Sequence, residues 1–218
     1  MPDKTTPFFE LRDALLAGGC PLCRLGNRAA SRYIESALYE GMTNPPLRLR
    51  LRAAQGFCRR HAWEMTRMRA SVLGTAIVYR DVVNDLIAAL EDPAAAPAGF
   101  LRRREPQPLP TPELPCPACA VGDEEAGRAG EVLRQHLDDA EIAAAYRRSG
   151  GLCLPHLRDQ LARARGRQGA TLRAWQLAAY QDLRGQLDEL IRKHDYRFQD
   201  EPMGEEGGAW LAAVARIV

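Results

Sequence analysis

A chain of 218 residues, 46% hydrophobic and 27% charged, has the composition of an ordinary globular protein and can hold one large or two small domains. Its net charge of +2 indicates no particular class of partner, and no apolar run reaches the roughly 18 residues that a membrane-spanning helix needs. The start of the sequence also lacks a basic segment followed by a long apolar one. We therefore expect a cytoplasmic protein that does not enter the membrane.

The first predicted element is a helix from Pro7 to Leu16. Thr6 is a suitable N-cap, proline suits the first helical position, and Gly18 with Gly19 can end the helix. A Cys-Pro-Leu-Cys sequence at residues 20–23 follows, and the next helix is predicted over residues 27–40.

Residues 46–52 consist of a proline followed by alternating leucine and arginine, which by itself is typical of a half-buried strand. Their counterpart later in the chain, residues 141–147, is rich in alanine and favours a helix. We therefore predict a helix at both places. Gly56 and Gly151 follow these helices and are expected to end them in left-handed conformations.

A Cys-Arg-Arg-His sequence at residues 58–61 then opens a helix predicted to reach Met68, and a longer amphipathic helix closes this half of the chain. A matching amphipathic helix comes late in the second half. The apolar faces of these two closing helices are expected to pack together. They consist of Val72, Ala76, Val83, Leu86 and Leu90 in the first helix, and of Leu172, Trp175, Leu183, Leu187, Leu190 and Ile191 in the second.

The segment between the halves contains seven prolines and the basic sequence Arg102-Arg103-Arg104, so an extended crossover is predicted there. The pattern then repeats, with Cys-Pro-Ala-Cys at residues 116–119, a helix over 124–137 and Cys-Leu-Pro-His at 153–156 opening a helix to Arg163. A final helix is expected to dock onto the body of the protein through Trp210, Leu211 and Val214.

The repetition of these motifs predicts an internal duplication, because each second motif begins 95 or 96 residues after its counterpart (20 to 116, 58 to 153). The fold class is therefore predicted to be all-α, as a duplicated helical repeat protein. Its predicted divisions are a first repeat over residues 1–92, a proline-rich linker over 93–115, a second repeat over 116–194 and a C-terminal tail over 195–218.

All six cysteines lie in the repeated motifs, which indicates metal binding, since disulfides are disfavoured in a reducing cytoplasm. Two thiolates separated by two residues can hold one ion, and a Cys and a His at i and i+3 share one face of a helical turn. Three thiolates and one imidazole favour zinc in a closed, structural site. We expect two zinc ions per chain, with the ligands Cys20, Cys23, Cys58, His61, Cys116, Cys119, Cys153 and His156.

Such a site carries a net charge of about −1, which nearby arginines or backbone amides can offset. Arg24, Arg59 and Arg60 are the candidates in the first half. Two histidines lie outside the motifs. We expect His136 at the surface or as a capping residue, and His194 near a helix C-terminus, where it complements the helix dipole.

The twin Gly-x-Cys-x-x-His sequences, with His194-Asp-Tyr-Arg-Phe198, Glu201-Pro-Met-Gly204 and Trp210, resemble a family of mostly helical prokaryotic proteins known as a domain of unknown function. The resemblance spans nearly the whole chain. It implies two metal-binding half-repeats and no particular activity. The implied sites are Cys20, Cys23, Cys58 and His61 for one, and Cys116, Cys119, Cys153 and His156 for the other. The spacing itself leaves open whether ligands are exchanged between the halves.

Other functions remain open at the level of sequence. An iron–sulfur cluster also uses thiolates, and would make the chain an electron-transfer or redox-sensing protein. Thioredoxin-like chemistry needs a CxxC in a βαβ setting, and no strands are predicted. A nucleic-acid-binding regulator is a third reading, based on the arginines between residues 48 and 69, which a helical wheel scatters. No catalytic triad or phosphate-binding loop is evident, so a binding or scaffold module with an unidentified protein partner is expected.

Overall fold

The computed structural model of the protein describes residues 3–40, 44–69, 71–91, 109–198 and 200–217. All regular secondary structure in these residues is helical, which confirms the all-α prediction. No helix in this part of the chain is both long and apolar enough to cross a membrane. The basic sequence at residues 102–104 lies outside the described residues.

The helices of the two halves follow the same order of lengths, α2 to α5 and then α6 to α9, as expected for a repeat. That the halves arose by duplication stays a prediction. The α-helices in the described residues are α1 (Thr6–Leu16), α2 (Pro21–Glu40), α3 (Pro45–Ala53), α4 (Arg59–Thr66), α5 (Ser71–Leu90), α6 (Pro117–Gln135), α7 (Ala140–Ser149), α8 (Leu154–Arg163), α9 (Arg167–Lys193) and α10 (Ala209–Ile217), with a 3-10 turn at Glu205–Gly208.

The chain divides into two compact units that do not follow the repeats of the sequence. Unit 1 consists of Met1–Asn27 together with Glu124–Val218, and unit 2 consists of Arg28–Asp123. The divisions therefore fall within α2 and α6, each of which begins in one unit and ends in the other. The predicted boundaries at residues 92 and 116 separate the sequence repeats. The boundaries of the compact units lie instead after residues 27 and 123.

Unit 1 has a core built mainly from α1, α6 and α7. The largest fully buried side chains there include Phe8, Tyr146 and Leu172. Asp139 caps α7 by accepting hydrogen bonds from the backbone N–H groups of Glu141 and Ile142, at 2.8 and 3.2 Å. Because α1 packs against α7, the start of the chain is held beside its second half.

Unit 2 has its own core, which includes Ile34, Leu51, Met65 and Val78. Its helix α3 is the segment whose alternating sequence resembles a strand. The Asn44 side chain caps this helix, accepting a hydrogen bond from the backbone N–H of Leu47 at 3.4 Å, and two prolines occupy its first turn. The helix prediction made from the second half is thus confirmed.

Two arginines of α3 form ion pairs with α5. Arg48 pairs with Asp81 and Arg52 with Asp85, so two residues one turn apart on α3 meet two residues one turn apart on α5. Leu51 is buried in the core of unit 2, while Leu49 is 65% exposed. Past the end of this helix, the backbone N–H of Glu113 donates to the Ala53 carbonyl at 2.8 Å, so the described end of the linker lies against α3.

The predicted packing surface of α5 is wrong. On α5 the buried residues are Ser71, Gly74, Val78 and Val82, and the predicted apolar face is largely exposed. Small residues on the opposite side allow the neighbouring helices α3 and α4 to approach, so the larger side chains turn outward. The prediction holds better for α9, where Leu172 and Leu183 are buried although Ile191 is exposed.

The final helix α10 also packs differently from the prediction. Trp210, Leu211 and Val214 are all more than half exposed, and only Ala209 of this helix is buried. The anchor is instead Arg216, which donates from Nε to the Gly150 carbonyl at 2.6 Å and from Nη2 to the Ser149 carbonyl at 3.1 Å. These carbonyls are free for such bonds because they end helix α7.

The glycines after α3 and α7 adopt the predicted left-handed conformation. Gly56 has φ of 86° and Gly151 has φ of 87°, although α7 is ended one residue earlier by Gly150, at φ 75°. A Cβ at position 151 would lie 2.6 Å from the Gln176 side-chain oxygen, so this position excludes a larger residue on two grounds.

We expect Gly151→Ala to lower the free energy of unfolding by about 1–3 kcal/mol, because the left-handed backbone and the contact with Gln176 both disfavour a Cβ. The matched control is Gly185→Ala, in α9 of the same unit, where a Cβ meets nothing within 4 Å. That substitution should raise the free energy of unfolding by about 0.5–1 kcal/mol. Chemical denaturation of both variants measures the difference, and equal effects would contradict the argument.

Candidate metal centres

The four Cys/His motifs share one local structure, in which the first cysteine immediately precedes a helix and the second ligand lies in its first turn. In every case the carbonyl of the first cysteine accepts a hydrogen bond from the backbone N–H four residues later. The donors and distances are Arg24 to Cys20 at 3.1 Å, Ala62 to Cys58 at 2.8 Å, Ala120 to Cys116 at 3.1 Å and Leu157 to Cys153 at 2.8 Å. Each motif therefore places both its ligands on one helix N-terminus.

The two Cys-Pro-x-Cys motifs lie closer to their helices than predicted. Helices expected to begin at residues 27 and 124 in fact begin at Pro21 and Pro117. Proline at the first helical position has a suitable φ and lacks an N–H that would otherwise need a partner. The helix thus forms the turn between the two cysteines.

The first group of ligands, cluster 1, contains Cys20, Cys23, Cys153 and His156. The Nδ1 atom of His156 lies 3.5 Å from the Cys20 sulfur, 3.2 Å from that of Cys23 and 3.1 Å from that of Cys153. All four ligand atoms lie within 4.8 Å of one another. Cluster 1 lies within unit 1 and joins the N-termini of α2 and α8.

The second group, cluster 2, contains Cys58, His61, Cys116 and Cys119. Here the Nδ1 atom of His61 lies 3.4 Å from the Cys58 sulfur, 3.6 Å from that of Cys116 and 3.3 Å from that of Cys119. Cluster 2 lies within unit 2 and joins the N-termini of α4 and α6. The two clusters therefore have the same composition and the same ligand nitrogen.

The structure groups the eight residues differently from the sites that the resemblance implies. Each CxxC lies with the CxxH of the other half: the cysteines at 20 and 23 meet the ligands at 153 and 156, and those at 116 and 119 meet the ligands at 58 and 61. The spacing of the motifs is the same in both halves, so it could not distinguish this exchange from pairing within each half. The exchange ties distant segments of sequence together inside each unit.

The distances fit one tetrahedral ion in each cluster. With a zinc–sulfur bond of about 2.3 Å and a zinc–nitrogen bond of about 2.0–2.1 Å, the edges of a tetrahedron are about 3.8 Å between sulfurs and about 3.6 Å between sulfur and nitrogen. The sulfurs of Cys23 and Cys153 lie 3.5 Å apart, and those of Cys58 and Cys119 lie 3.7 Å apart. These separations are too long for a disulfide bond, and all six cysteines are free.

Helix N-termini surround both clusters with partial positive charge, which favours the net negative charge of a zinc ion with three thiolates. The predicted arginines contribute unequally. Arg24 donates to the carbonyls of Ala17 and Gly18 at 3.0 and 2.8 Å, so its guanidinium caps the C-terminus of α1. Arg60, in contrast, lies near enough to His61 to help lower the pKa of its imidazole.

The ligand pKa values differ between the clusters. Hydrogen bonds with Cys153 and Cys20 raise the pKa of His156 to about 10, whereas burial lowers the pKa of His61. A hydrogen bond with Cys153 lowers the pKa of Cys20 and raises that of Cys23, and burial raises the pKa of Cys119 to about 12. Neighbouring thiolates disfavour one another, and a cysteine binds metal as the thiolate, so binding of a metal at either cluster would displace protons.

A buried glutamine, which the sequence analysis missed, fixes the approach to cluster 1. The Gln176 side-chain oxygen accepts hydrogen bonds from the Tyr146 hydroxyl and from the Leu152 backbone N–H, the latter at 2.9 Å. Its amide nitrogen donates to the Leu152 carbonyl at 3.2 Å. Because Leu152 precedes Cys153, this clamp positions a ligand. A polar residue within the buried stripe of α9 is the sequence signal that could have found it.

Tyr79 occupies a similar place beside cluster 2. Its hydroxyl donates to the carbonyl of Phe57, the residue before Cys58, at 3.5 Å, and its ring leaves no room for a Cβ at Gly56. In both units, then, the long closing helix holds the backbone that leads into the CxxH motif. The two contacts use different chemistry, so aligning the halves could not have revealed them.

The remaining histidines do not join the clusters. His136 is 5% exposed and its ring packs against that of Phe8, with centroids 4.8 Å apart, so the predicted surface position is wrong. Burial lowers the pKa of His136. His194 ends α9 as predicted, and its Nδ1 atom lies 2.8 Å from the Leu190 carbonyl oxygen.

We expect Gln176→Leu to lower the free energy of unfolding of the metal-loaded protein by roughly 2–4 kcal/mol, because three buried polar groups lose a partner. Metal affinity at cluster 1 should fall in parallel, since Cys153 is no longer positioned. The matched control is Gln186→Leu, also in α9, whose amide nitrogen donates to the exposed Asp182 at 3.0 Å. Denaturation and competitive chelation measure both effects, and equal behaviour of the two variants would contradict the clamp.

Comparison with known proteins gives a family without an assigned activity. A family model described as a family of unknown function (DUF6062) matches residues 8–216. No curated protein and no solved structure matches the chain.

Proposed function

Since the chain belongs to DUF6062, a family of unknown function, we propose its role from the geometry of its own clusters. The protein binds two zinc ions in structural Cys3His sites and acts in the cytoplasm as a scaffold that presents its helices to a protein partner. The observation that carries this proposal is the convergence of four ligand atoms within 4.8 Å in each of two clusters.

A structural role is favoured because each cluster offers four protein ligands, which complete the tetrahedron of a zinc ion. Catalytic zinc sites keep one position for water or substrate. Each ion would also be continuous with a hydrophobic core, since Cys20 packs against the core of unit 1 and Cys116 against that of unit 2. The free energy of metal binding at such sites adds to the stability of the folded protein.

An iron–sulfur cluster is the second candidate, because the same thiolates could serve iron. Its bridging sulfides and several irons would separate the protein ligands by more than one tetrahedral edge. Ligand atoms that all lie within 4.8 Å of one another favour a single ion instead. Zinc is the mononuclear ion that suits three thiolates and one imidazole best.

The arginines of α3 give little support to nucleic-acid binding. Arg48 and Arg52 pair with aspartates on α5, so their charge is partly neutralised within the protein. Arg80, nearby on α5, lies 3.5 Å from Asp81. A phosphate-binding surface would need free cations arranged on one face. We therefore place a protein partner ahead of a nucleic acid.

Metal analysis of protein purified without oxygen tests the identity of the ions. We expect about two zinc ions per chain and no absorbance above about 350 nm, because zinc has no accessible redox state or ligand-field bands. Iron with a broad band near about 400 nm would instead identify an electron-transfer or sensing protein. Removal of zinc by a chelator should unfold the two units, which circular dichroism measures.

Substitution of single ligands tests the exchanged grouping. Cys23→Ser should remove one metal equivalent and lower amide protection in α8, although Cys153, which immediately precedes that helix, lies 130 residues after Cys23 in the sequence. Protection in α4 should persist. Hydrogen exchange read by mass spectrometry separates the two helices.

The control for this experiment is His194→Ala, which alters a histidine outside both clusters and should retain two equivalents. Loss of protection in α4 instead of α8 would show that each ion is bound within one half. A Cys23→Ser protein that keeps both ions would contradict metal binding at cluster 1.

A further inference from the structure

The outward face of α5 is mostly apolar, with one charged residue, Arg80, near its middle. Five large apolar side chains on this helix are exposed: Val72 (83%), Leu73 (71%), Val83 (49%), Ile87 (45%) and Leu90 (66%). Together with Ala76 they fall within a sector of about 100° around the helix axis. The opposite side of α5 packs on α3 and α4 within unit 2. A continuous stripe of this kind usually marks an interaction surface.

Three of these exposed residues, together with Ala76 and two half-buried residues, have the spacing of a coiled-coil seam, whereas Leu73 and Ile87 lie beside it. Apolar residues recur at alternating intervals of four and three over five steps, which places them at the a and d positions of successive heptads. The d positions are Val72, Tyr79 and Leu86, and the a positions are Ala76, Val83 and Leu90. Tyr79 and Leu86 are half-buried at the edge of the unit 2 core, so the seam borders that core.

This seam is complementary to itself when two copies run antiparallel. Rotation about an axis beside residue 81 brings Val72 opposite Leu90 and Ala76 opposite Leu86. Val83 comes opposite Tyr79, of which only the exposed edge is available, because its hydroxyl is bonded to Phe57 in its own unit. Every layer then contains one a and one d residue, and small Ala76 meets large Leu86. A two-fold interface requires this property, because every contact from the first copy to the second must also form from the second copy to the first.

The charges near the axis are compatible with that arrangement. Arg80 is the charged residue within the apolar sector, and its guanidinium lies 3.5 Å from the Asp81 carboxylate. Asp81 also pairs with Arg48, so the polar groups beside the axis are already engaged within each chain.

We propose that the α5 face is a self-association surface, on which a second copy of this chain docks its own α5 in antiparallel orientation. The proposal does not depend on which metal the clusters hold. One helix face is small for an interface, so the dimer is expected to be weak and to depend on protein concentration.

Sedimentation velocity of the metal-loaded full chain, from about 1 to about 500 µM, tests the proposal. The average mass should rise from the monomer value of 24.2 kDa toward twice that value. Val72→Glu should weaken association about tenfold or more, because the new carboxylate faces the apolar Leu90 of the other copy. Leu90→Lys should do the same. Both positions are exposed, so metal content and helicity should not change.

The double variant Val72→Glu with Leu90→Lys should restore association, because opposite charges then face each other in the antiparallel register. In a parallel register each position would face itself and the double variant would stay weak. The matched control is Leu211→Glu, on the exposed face of α10, where Leu211 is 56% exposed; it should not alter association.

A wild-type chain that stays monomeric at the highest concentration would overturn the proposal, as would a dimer that Val72→Glu leaves intact. Failure of the double variant to recover, or loss of the dimer in Leu211→Glu, would equally overturn it. In those cases another helix, another surface or this chain's own linker would account for the α5 stripe.

Discussion

The structure depends on the meeting of helix N-termini in pairs, each pair carrying three thiols and one imidazole. An N-terminus offers unpaired N–H groups and partial positive charge, so it can accommodate thiolates that a neutral environment would not. Two such ends facing each other would still lack a full positive charge. A divalent cation bound between them would supply that charge.

The positions of these helix ends determine much of the remaining architecture. In unit 1 the Gln176 clamp, the left-handed glycines and the Arg216 anchor all act on the few residues between α7 and α8. Those residues lead directly into Cys153. In unit 2, Tyr79 and the described end of the linker act on the matching segment between α3 and α4. The long helices thus serve as supports for two short loops.

The sequence predicted the helices well, because they depend on local pattern, and its eight candidate ligands lie in two groups of four in the structure. Capping residues, prolines and glycines placed most helix ends to within a few residues, although α2 and α6 begin six and seven residues earlier than predicted. The alanine-rich counterpart resolved the ambiguous segment at α3. The partners of each cysteine could not be predicted, since exchange between equal repeats leaves every spacing unchanged. The apolar face of α5 was also misjudged, because periodicity shows that a stripe exists without showing which neighbour covers it.

The exchanged grouping also orders the closure of the clusters during synthesis of the chain. Along the sequence the motifs are nested: the Cys58–His61 pair and the Cys116–Cys119 pair lie inside the interval that separates Cys20 and Cys23 from Cys153 and His156. The inner cluster closes a loop of 55 residues and the outer one a loop of 130. The outer closure costs about 0.8 kcal/mol more in chain entropy. The first Cys-Pro-x-Cys motif to leave the ribosome is therefore the last to meet its partner residues. Its two thiols stay unpaired until the residues of unit 2 have been synthesised.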